Sequence, residues 1–423
     1  MKKVPLLAWI VLAIIAGILI GSLTPGIISG LNEALGWSVP TDLIVQLFVS
    51  FSTIFSAVLS FAIPLIILGF IIPGIGSLAQ GAGRLLGITV GLSYISSITA
   101  GFLALTTAYF LYPVLLKGQQ LSSVANPEEA LSAGYVKFEL TPLMDVTAAL
   151  VLAFIIGLGI TTLKTKNMLH FFEDFQTIIE KLLSYVIIPL LPIHIVGIFA
   201  NMTLAGEVAT IISVFGKVFI MVLLLHWIML IIQYTVAGSL TGRNPFKALK
   251  TMLPAYFTAL GTQSSAATIP VTMGAVRKTS VSERIANFVV PLCATIHLSG
   301  SMITITSCSV AVVFMTSGHI SFIELIPLVL LLAVMMVAAP GVPGGGVMAA
   351  IGLLQSMLGF DQSMVALMIA LYMAQDSFGT ATNVTGDATI AMIVDKISRR
   401  FKSSNNEQPT AELENQQHGS VQA

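Results

Sequence analysis

Four polar residues inside an otherwise apolar stretch carry the chemistry open to this sequence. In LYMAQDSFGTATNVTGDATIAMIV, residues 371–394, Asp376, Thr380, Asn383 and Asp387 stand at offsets 0, 4, 7 and 11, which on an α-helix is a single stripe. An Asp at the centre of a hydrocarbon layer costs about 2.5–3.5 kcal/mol on insertion scales. Two of them about three turns, roughly 16 Å, apart need water, protein or ions around them. The stripe therefore reads as a solute or ion pathway. The plainer alternative is the polar face of a soluble surface helix.

Composition decides between the two. With 56% hydrophobic and 9% charged residues and a mean hydropathy of +0.95, these 423 residues cannot be given an ordinary water-compatible surface. The fold class is an all-α polytopic membrane protein. A formal net charge of zero offers no basic footprint for nucleic acid. The two cysteines, Cys293 and Cys308, lie in apolar sequence and form neither a disulfide framework nor a zinc spacing.

The elements that must hold the stripe follow from hydropathy. Behind Met-Lys-Lys a first span runs from Val4 to about Leu23 and reads as uncleaved, since no small-residue cleavage site follows. Further spans are expected at about 43–72, 83–116, 143–163, 170–201 and 207–240, the fifth bent by Pro189 and Pro192. His194 and His226 on these spans read as hydrogen-bonded packing residues. The polar segment 117–142 is an extramembrane loop.

Beyond residue 240 the pattern changes. Two apolar segments are broken near their centres, by TALGTQSSAATIP at 258–270 and by AAPGVPGGG at 338–346. Each half is too short to span, so both predict re-entrant helical hairpins with irregular tips buried in protein. Between them a seventh span, 286–317, is interrupted by ATIHLSGS at 294–301, and the stripe itself is the eighth. A hairpin plus a broken span, occurring twice, is the layout of inverted repeats around a central binding site.

Charge supports this topology. With the N-terminus cytoplasmic, one side receives Lys2, Lys3, Arg84, Lys164, Lys166, Arg243, Lys247, Lys250, Arg277, Lys278, Arg284, Lys396, Arg399, Arg400 and Lys402, and the other only Lys117 and Lys137. Both termini then lie in the cytoplasm of a multi-pass cell-membrane protein. The tail from about 402 to 423 reads as disordered.

At these residues a resemblance becomes specific. Gln263-Ser264-Ser265-Ala266-Ala267-Thr268-Ile269-Pro270-Val271-Thr272-Met273, Pro291 to Ile296, Gly341-Val342-Pro343-Gly344 and Asn383-Val384-Thr385-Gly386-Asp387 resemble, in order and spacing, the four signatures of the dicarboxylate/amino acid:cation symporter family. The resemblance implies a homotrimer in which spans one, two, four and five form a scaffold, spans three and six join the core at 241–400, and that transport domain moves as an elevator. It implies an amino acid substrate and co-transported sodium. Asp376 would take the substrate ammonium, Thr380 and Asn383 would orient its backbone, and Ser264, Ser265, Val342 and Pro343 would hold its α-carboxylate, with Ser301 and Gly379 lining the same site. Asp387 with main-chain carbonyls of Cys293, His297 and Asn383 would bind sodium. A further cation would use carbonyls around Thr295 and near 336–339.

Two departures carry information. Where acidic-substrate members have an Arg, this chain has Gly379, and Gln263 replaces another. A second substrate carboxylate would be buried unpaired, at high cost, so a small neutral amino acid such as serine, threonine or alanine is expected, with Gly379 leaving room for a bulkier one. A dicarboxylate or cystine symporter is the alternative. Where the family reads Asn-Met-Asp-Gly-Thr, this chain reads His297-Leu298-Ser299-Gly300-Ser301. A third cation site matching Ser96, Ser97 and Ser299 therefore lacks its carboxylate. Either fewer sodium ions are carried or something replaces one. His297 is then a proton-coupling group, since imidazole titrates near physiological pH, or a neutral hydrogen-bonded residue giving its backbone carbonyl. An intramembrane aspartyl protease is disfavoured, because both Asp lie on one helix. A channel or receptor could use the same stripe, and saturable turnover would separate these. No phosphate loop or catalytic triad occurs, so transport is secondary and no enzyme is expected.

Overall fold

The computed structural model describes residues 6–78, 84–118, 135–136, 138, 140–206, 208–337, 339 and 344–406. Among them are fourteen α-helices and one π-helical turn, and no strand. They are α1 (Leu6–Leu35), α2 (Leu43–Leu78), α3 (Arg84–Leu115), α4 (Val146–Thr162), α5 (Asn167–Leu182), α6 (Ile188–Leu204), α7 (Val208–Thr241), α8 (Pro245–Thr262), α9 (Ser265–Arg277), α10 (Glu283–Ile296), α11 (Ser299–Ser317), α12 (Phe322–Val337), α13 (Gly345–Leu358) and α14 (Gln362–Asn406). Among the described residues, seven helical stretches are long and apolar enough to cross a membrane, counting α5–α6 and α10–α11 as one each. The expected fourth span is α4, whose 17 residues reach only about 25 Å at 1.5 Å per residue, short of a hydrocarbon layer of about 30 Å.

The helices fall into two groups by packing. In the first, α1 lies along α6, and α2 packs on α4, α5 and α6. Gly17 and Gly21 make the α1–α6 approach: a Cβ at Gly17 would come within 2.8 Å of Phe199 Cβ, and one at Gly21 within 2.6 Å of Thr203 Cβ. This small-x-x-x-small spacing is how helices approach closely where lipid leaves no hydrophobic drive for association. The bend expected at Pro189 and Pro192 is taken up by the π turn Leu183–Ile187 just before them, because proline removes the N–H that would close an α turn.

In the second group α11 and α14 pack against each other, with α3 on α11 and α7, α8 and α10 around α14. The most apolar window of α10–α11 is 94% buried against 22% for that of α1. The α14 window is 83% buried as well, so α11 and α14 form the centre, and α1, the more apolar helix, lies at the rim. The groups meet mainly through α13 on α2 and α4 and through α14 on α1 and α6.

Helix pairs break where the sequence places breakers. Between α8 and α9, Gln263 adopts φ 53°, and Ser264 caps α9 by accepting the Ala267 N–H at 3.2 Å. Between α12 and α13, Gly344 takes φ 76°. One expectation is corrected: the pattern of hairpin plus broken span does not occur twice, because α14 is continuous from Gln362 to Asn406. The run around Asp376 carries only isolated glycines, which a helix with packed neighbours tolerates. Near the end of α14, Asp395 receives Arg243 at 3.0 Å, Arg399 at 2.9 Å, and both the N–H and hydroxyl of Ser282, at 3.1 and 2.8 Å. This ties the α7–α8 turn, the α9–α10 turn and α14 at one end of the core. Lys2, Lys3 and Lys137 of the charge map, and the tail from 407, lie outside the described residues.

Candidate functional site

The site forms around the break between α10 and α11. His297 (φ −112°, ψ 91°) and Leu298 (φ −118°, ψ 47°) leave the helix, and α11 restarts at Ser299 without a side-chain cap of its own. Serine and glycine here favour a helix end over a helix interior. The orphan N–H groups of the new helix start go to another helix. Asn383 Oδ1 on α14 accepts Gly300 N–H at 2.7 Å and Ser301 N–H at 3.3 Å, and its Nδ2 donates to Ser301 Oγ at 3.1 Å. Asn383 is thus an N-cap supplied by a neighbour.

This contact requires α11 and α14 to touch, which Gly300 permits. A Cβ there would lie 2.8 Å from Thr382 Cβ and 2.9 Å from the Gly379 carbonyl carbon. Behind the crossing, His226 Nε2 lies 3.1 Å from both Gly300 O and Thr304 Oγ1, so His226 is the hydrogen-bonded packing residue expected.

On one side of Asn383 stands Asp376, 4% exposed. Its Oδ2 accepts the Gly344 N–H at 2.8 Å, which joins it to the start of α13. Tyr372, one turn before it, donates to Ser301 Oγ at 3.3 Å. Asp376, Tyr372, Ser301 and Asn383 make one polar line.

On the other side, Asp387 meets the imidazole of His297, Nδ1 to Oδ1 at 2.9 Å. His297 Nε2 lies 3.0 Å from Ser96 Oγ on α3. Gln233 on α7 completes the group: its Nε2 donates to Ser96 Oγ at 2.9 Å and Ser299 Oγ at 3.0 Å, and lies 3.5 Å from His297 Nε2. Gly386 makes the space, since a Cβ there would sit 2.7 Å from Gln233 Oε1 and 2.9 Å from His297 Cε1.

The predicted residues divide accordingly. Asp376, Asn383, Ser301 and Gly379 come together at the crossing, with Thr380 buried on the same helix. Asp387, His297, Ser96 and Ser299 come together beyond it, with Ser97 Oγ buried and without a hydrogen-bond partner among the described residues. Ser265 is buried at the first turn of α9, which packs on α14. Val342 and Pro343 lie outside the described residues. The remaining predicted residues are placed as follows. The Ser264 hydroxyl caps its own helix by accepting the Ala267 N–H. Gly379 does not open onto free space, because a Cβ there would already touch Thr304 Oγ1 at 3.4 Å and Gly300 and Ser301 backbone at 3.5 Å. At Thr295, where main-chain carbonyls alone were expected to serve, the side chain is exposed and donates to Leu292 O at 2.8 Å. The ring of His297 engages Asp387, Nδ1 to Oδ1 at 2.9 Å. The Cys293 carbonyl already accepts the His297 N–H at 2.9 Å, and its thiol lies 3.7 Å from Ser93 Oγ.

Sequence reasoning missed Gln233 and Tyr372. The available signal was an amide in the middle of LIIQYTV, since polar side chains in a membrane segment face protein or water.

Two buried carboxylates on one helix, each met from a helix break or hairpin tip, are the geometry against which similarity can be weighed. A family model described as Sodium:dicarboxylate symporter family matches residues 6–397. The chain belongs to this family. Members of the sodium:dicarboxylate symporter family are membrane transporters rather than enzymes. Among relatives, excitatory amino acid transporter 1 of Ambystoma tigrinum is 28% identical over 60% of this chain and 48% of its own length. A serine/threonine transporter of Acinetobacter baumannii is 27% identical over 68% of this chain and 70% of its own. Human neutral amino acid transporter B(0) is 26% identical over 62% and 49%. The chain spans about half the length of the excitatory amino acid transporters it matches.

Proposed function

We propose that this symporter couples uptake of a small neutral α-amino acid, of serine, threonine or alanine type, to the sodium gradient. One observation carries the substrate class: among the described residues Asp376, Asp387 and Asp395 are buried, and no Lys or Arg is. Asp376 pairs with the substrate ammonium, an ionic contact that offsets the desolvation of both groups. The α9 start at Ser265 and the N–H groups of the second tip receive the α-carboxylate. A side-chain carboxylate would then find no cation, a cost of several kcal/mol on the scale of an unpaired buried charge. The names of two relatives, a serine/threonine and a neutral amino acid transporter, agree with this choice.

Asp387 is the sodium ligand in this reading, a hard oxygen donor for a hard cation. Asn383 lies one turn from Asp387 and holds the start of α11, so ion and substrate address the same helix crossing. The two packing groups, joined by few contacts, support a moving core of α3 and α7–α14 against a scaffold of α1, α2 and α4–α6. Eight crossings, two re-entrant hairpins, cytoplasmic termini and a homotrimeric elevator complete the proposal.

Radiolabelled uptake into proteoliposomes under an imposed sodium gradient, competed by the full set of amino acids, is the direct test. Serine, threonine or alanine should compete, and aspartate and glutamate should not. Competition by the acidic pair alone would overturn the substrate class. Asp387→Asn should raise the sodium concentration for half-maximal uptake by about tenfold or more, as loss of an ionic ligand implies, while leaving amino acid affinity at saturating sodium within about threefold. An unchanged sodium dependence would remove Asp387 from the ion site.

A further inference from the structure

The buried cluster of Ser96, Gln233, His297, Ser299 and Asp387 joins α3, α7, the α10–α11 break and α14. Its centre is occupied. The Gln233 amide nitrogen stands between two hydroxyls, 2.9 Å from Ser96 Oγ and 3.0 Å from Ser299 Oγ. A small hard cation needs several oxygens converging on one point at about 2.3–2.6 Å. Here the lone pairs of both serines are directed at an N–H donor that is anchored to the protein. The backbone is shaped to the same end, because Gly386 gives up its side chain to seat Gln233 Oε1 and His297 Cε1. The imidazole carries the linkage on, bridging Ser96 Oγ and Asp387 Oδ1 at 3.0 and 2.9 Å.

We infer that Gln233 is a tethered occupant of this cluster: it closes the Ser96–Ser299 pair to cations and, through His297, positions the Asp387 carboxylate. The two serines then contribute no ion to the cycle, and Gln233 acts as a positioning residue for the ion site. The inference deepens the proposed function and rests on it for the role of Asp387.

The test is equilibrium binding of radioactive sodium to the purified full chain, counted per chain and independent of which amino acid is carried. Ser96→Ala with Ser299→Ala should bind as many ions per chain as the wild type when counted at saturating sodium. Gln233→Ala with His297→Asp removes the occupant and supplies a carboxylate, and should gain one ion per chain. Gln233→Met keeps the volume without the amide and should weaken sodium binding about tenfold through loss of Asp387 orientation; a residue that merely fills space would leave it unchanged. Loss of one ion in the double serine variant would overturn the inference, as would an unaltered sodium affinity in Gln233→Met. If the wild type binds no sodium, the Asp387 reading fails, and the gain of an ion in Gln233→Ala with His297→Asp still reports on Gln233.

Discussion

Asp376→Asn should reduce uptake to background. The substitution keeps shape and volume at a side chain that is 4% exposed, and an amide oxygen can still accept the Gly344 N–H, now made at 2.8 Å. What disappears is the charge. A substrate ammonium withdrawn from water into this core would face a neutral amide. Breaking a buried ion pair by removing one partner costs about 3–5 kcal/mol, or roughly 100- to several-thousand-fold in affinity. Equilibrium binding of the preferred amino acid to the purified variant separates this from misfolding, provided the variant elutes and melts like the wild type. Affinity within tenfold of the wild type would show that the ammonium is held elsewhere.

Gly300→Ala should be the most damaging single-methyl change in the molecule. The new Cβ would meet Thr382 Cβ at 2.8 Å and the Gly379 carbonyl carbon at 2.9 Å. Two of its neighbours are backbone or backbone-adjacent, so no rotamer change relieves the overlap, and α11 and α14 must separate. Overpacking of this kind costs about 1–3 kcal/mol and at times more. Separation also pulls Gly300 N–H from Asn383 Oδ1, a 2.7 Å bond whose loss leaves both groups buried and unpaired, about 1–3 kcal/mol further. A fall of several degrees in the detergent melting temperature and loss of uptake are expected. Gly379→Ala is the internal control: its Cβ meets Thr304 Oγ1 at 3.4 Å and backbone at 3.5 Å, ordinary contacts that should leave melting within about one degree. If Gly300→Ala melts and transports like Gly379→Ala, the crossing is looser than described.

The membrane class, the polar stripe and the positions of the breaks were legible in the sequence because each is a short-range property. Hydropathy over twenty residues, a spacing of 0, 4, 7 and 11, and a run such as HLSGS or GTQSS act within a few turns of the chain. The stripe on α14 is buried along its whole length, and α8–α9 and α10–α11 part within the predicted windows. The four signatures also sufficed to name the family that the residue 6–397 match shows.

Which groups the polar atoms would choose was not legible. Ser96 and His297 are 201 positions apart, and Gln233 and Ser299 are 66 apart, so no periodicity relates them. Asn383 reads as a substrate ligand in sequence and is found capping α11; His297 reads as a proton carrier or a neutral hydrogen-bonded residue of unknown partner and is found with its ring on Asp387. Gly379 reads as empty space and is found against Thr304. In each case the competing partner is a helix end or a backbone surface brought in by packing. A buried donor or acceptor without a partner costs about 1–3 kcal/mol, so each polar group takes whatever the close-packed interior sets beside it. Local pattern therefore determined where this chain carries its polar groups, and only the tertiary structure decided what each of them holds.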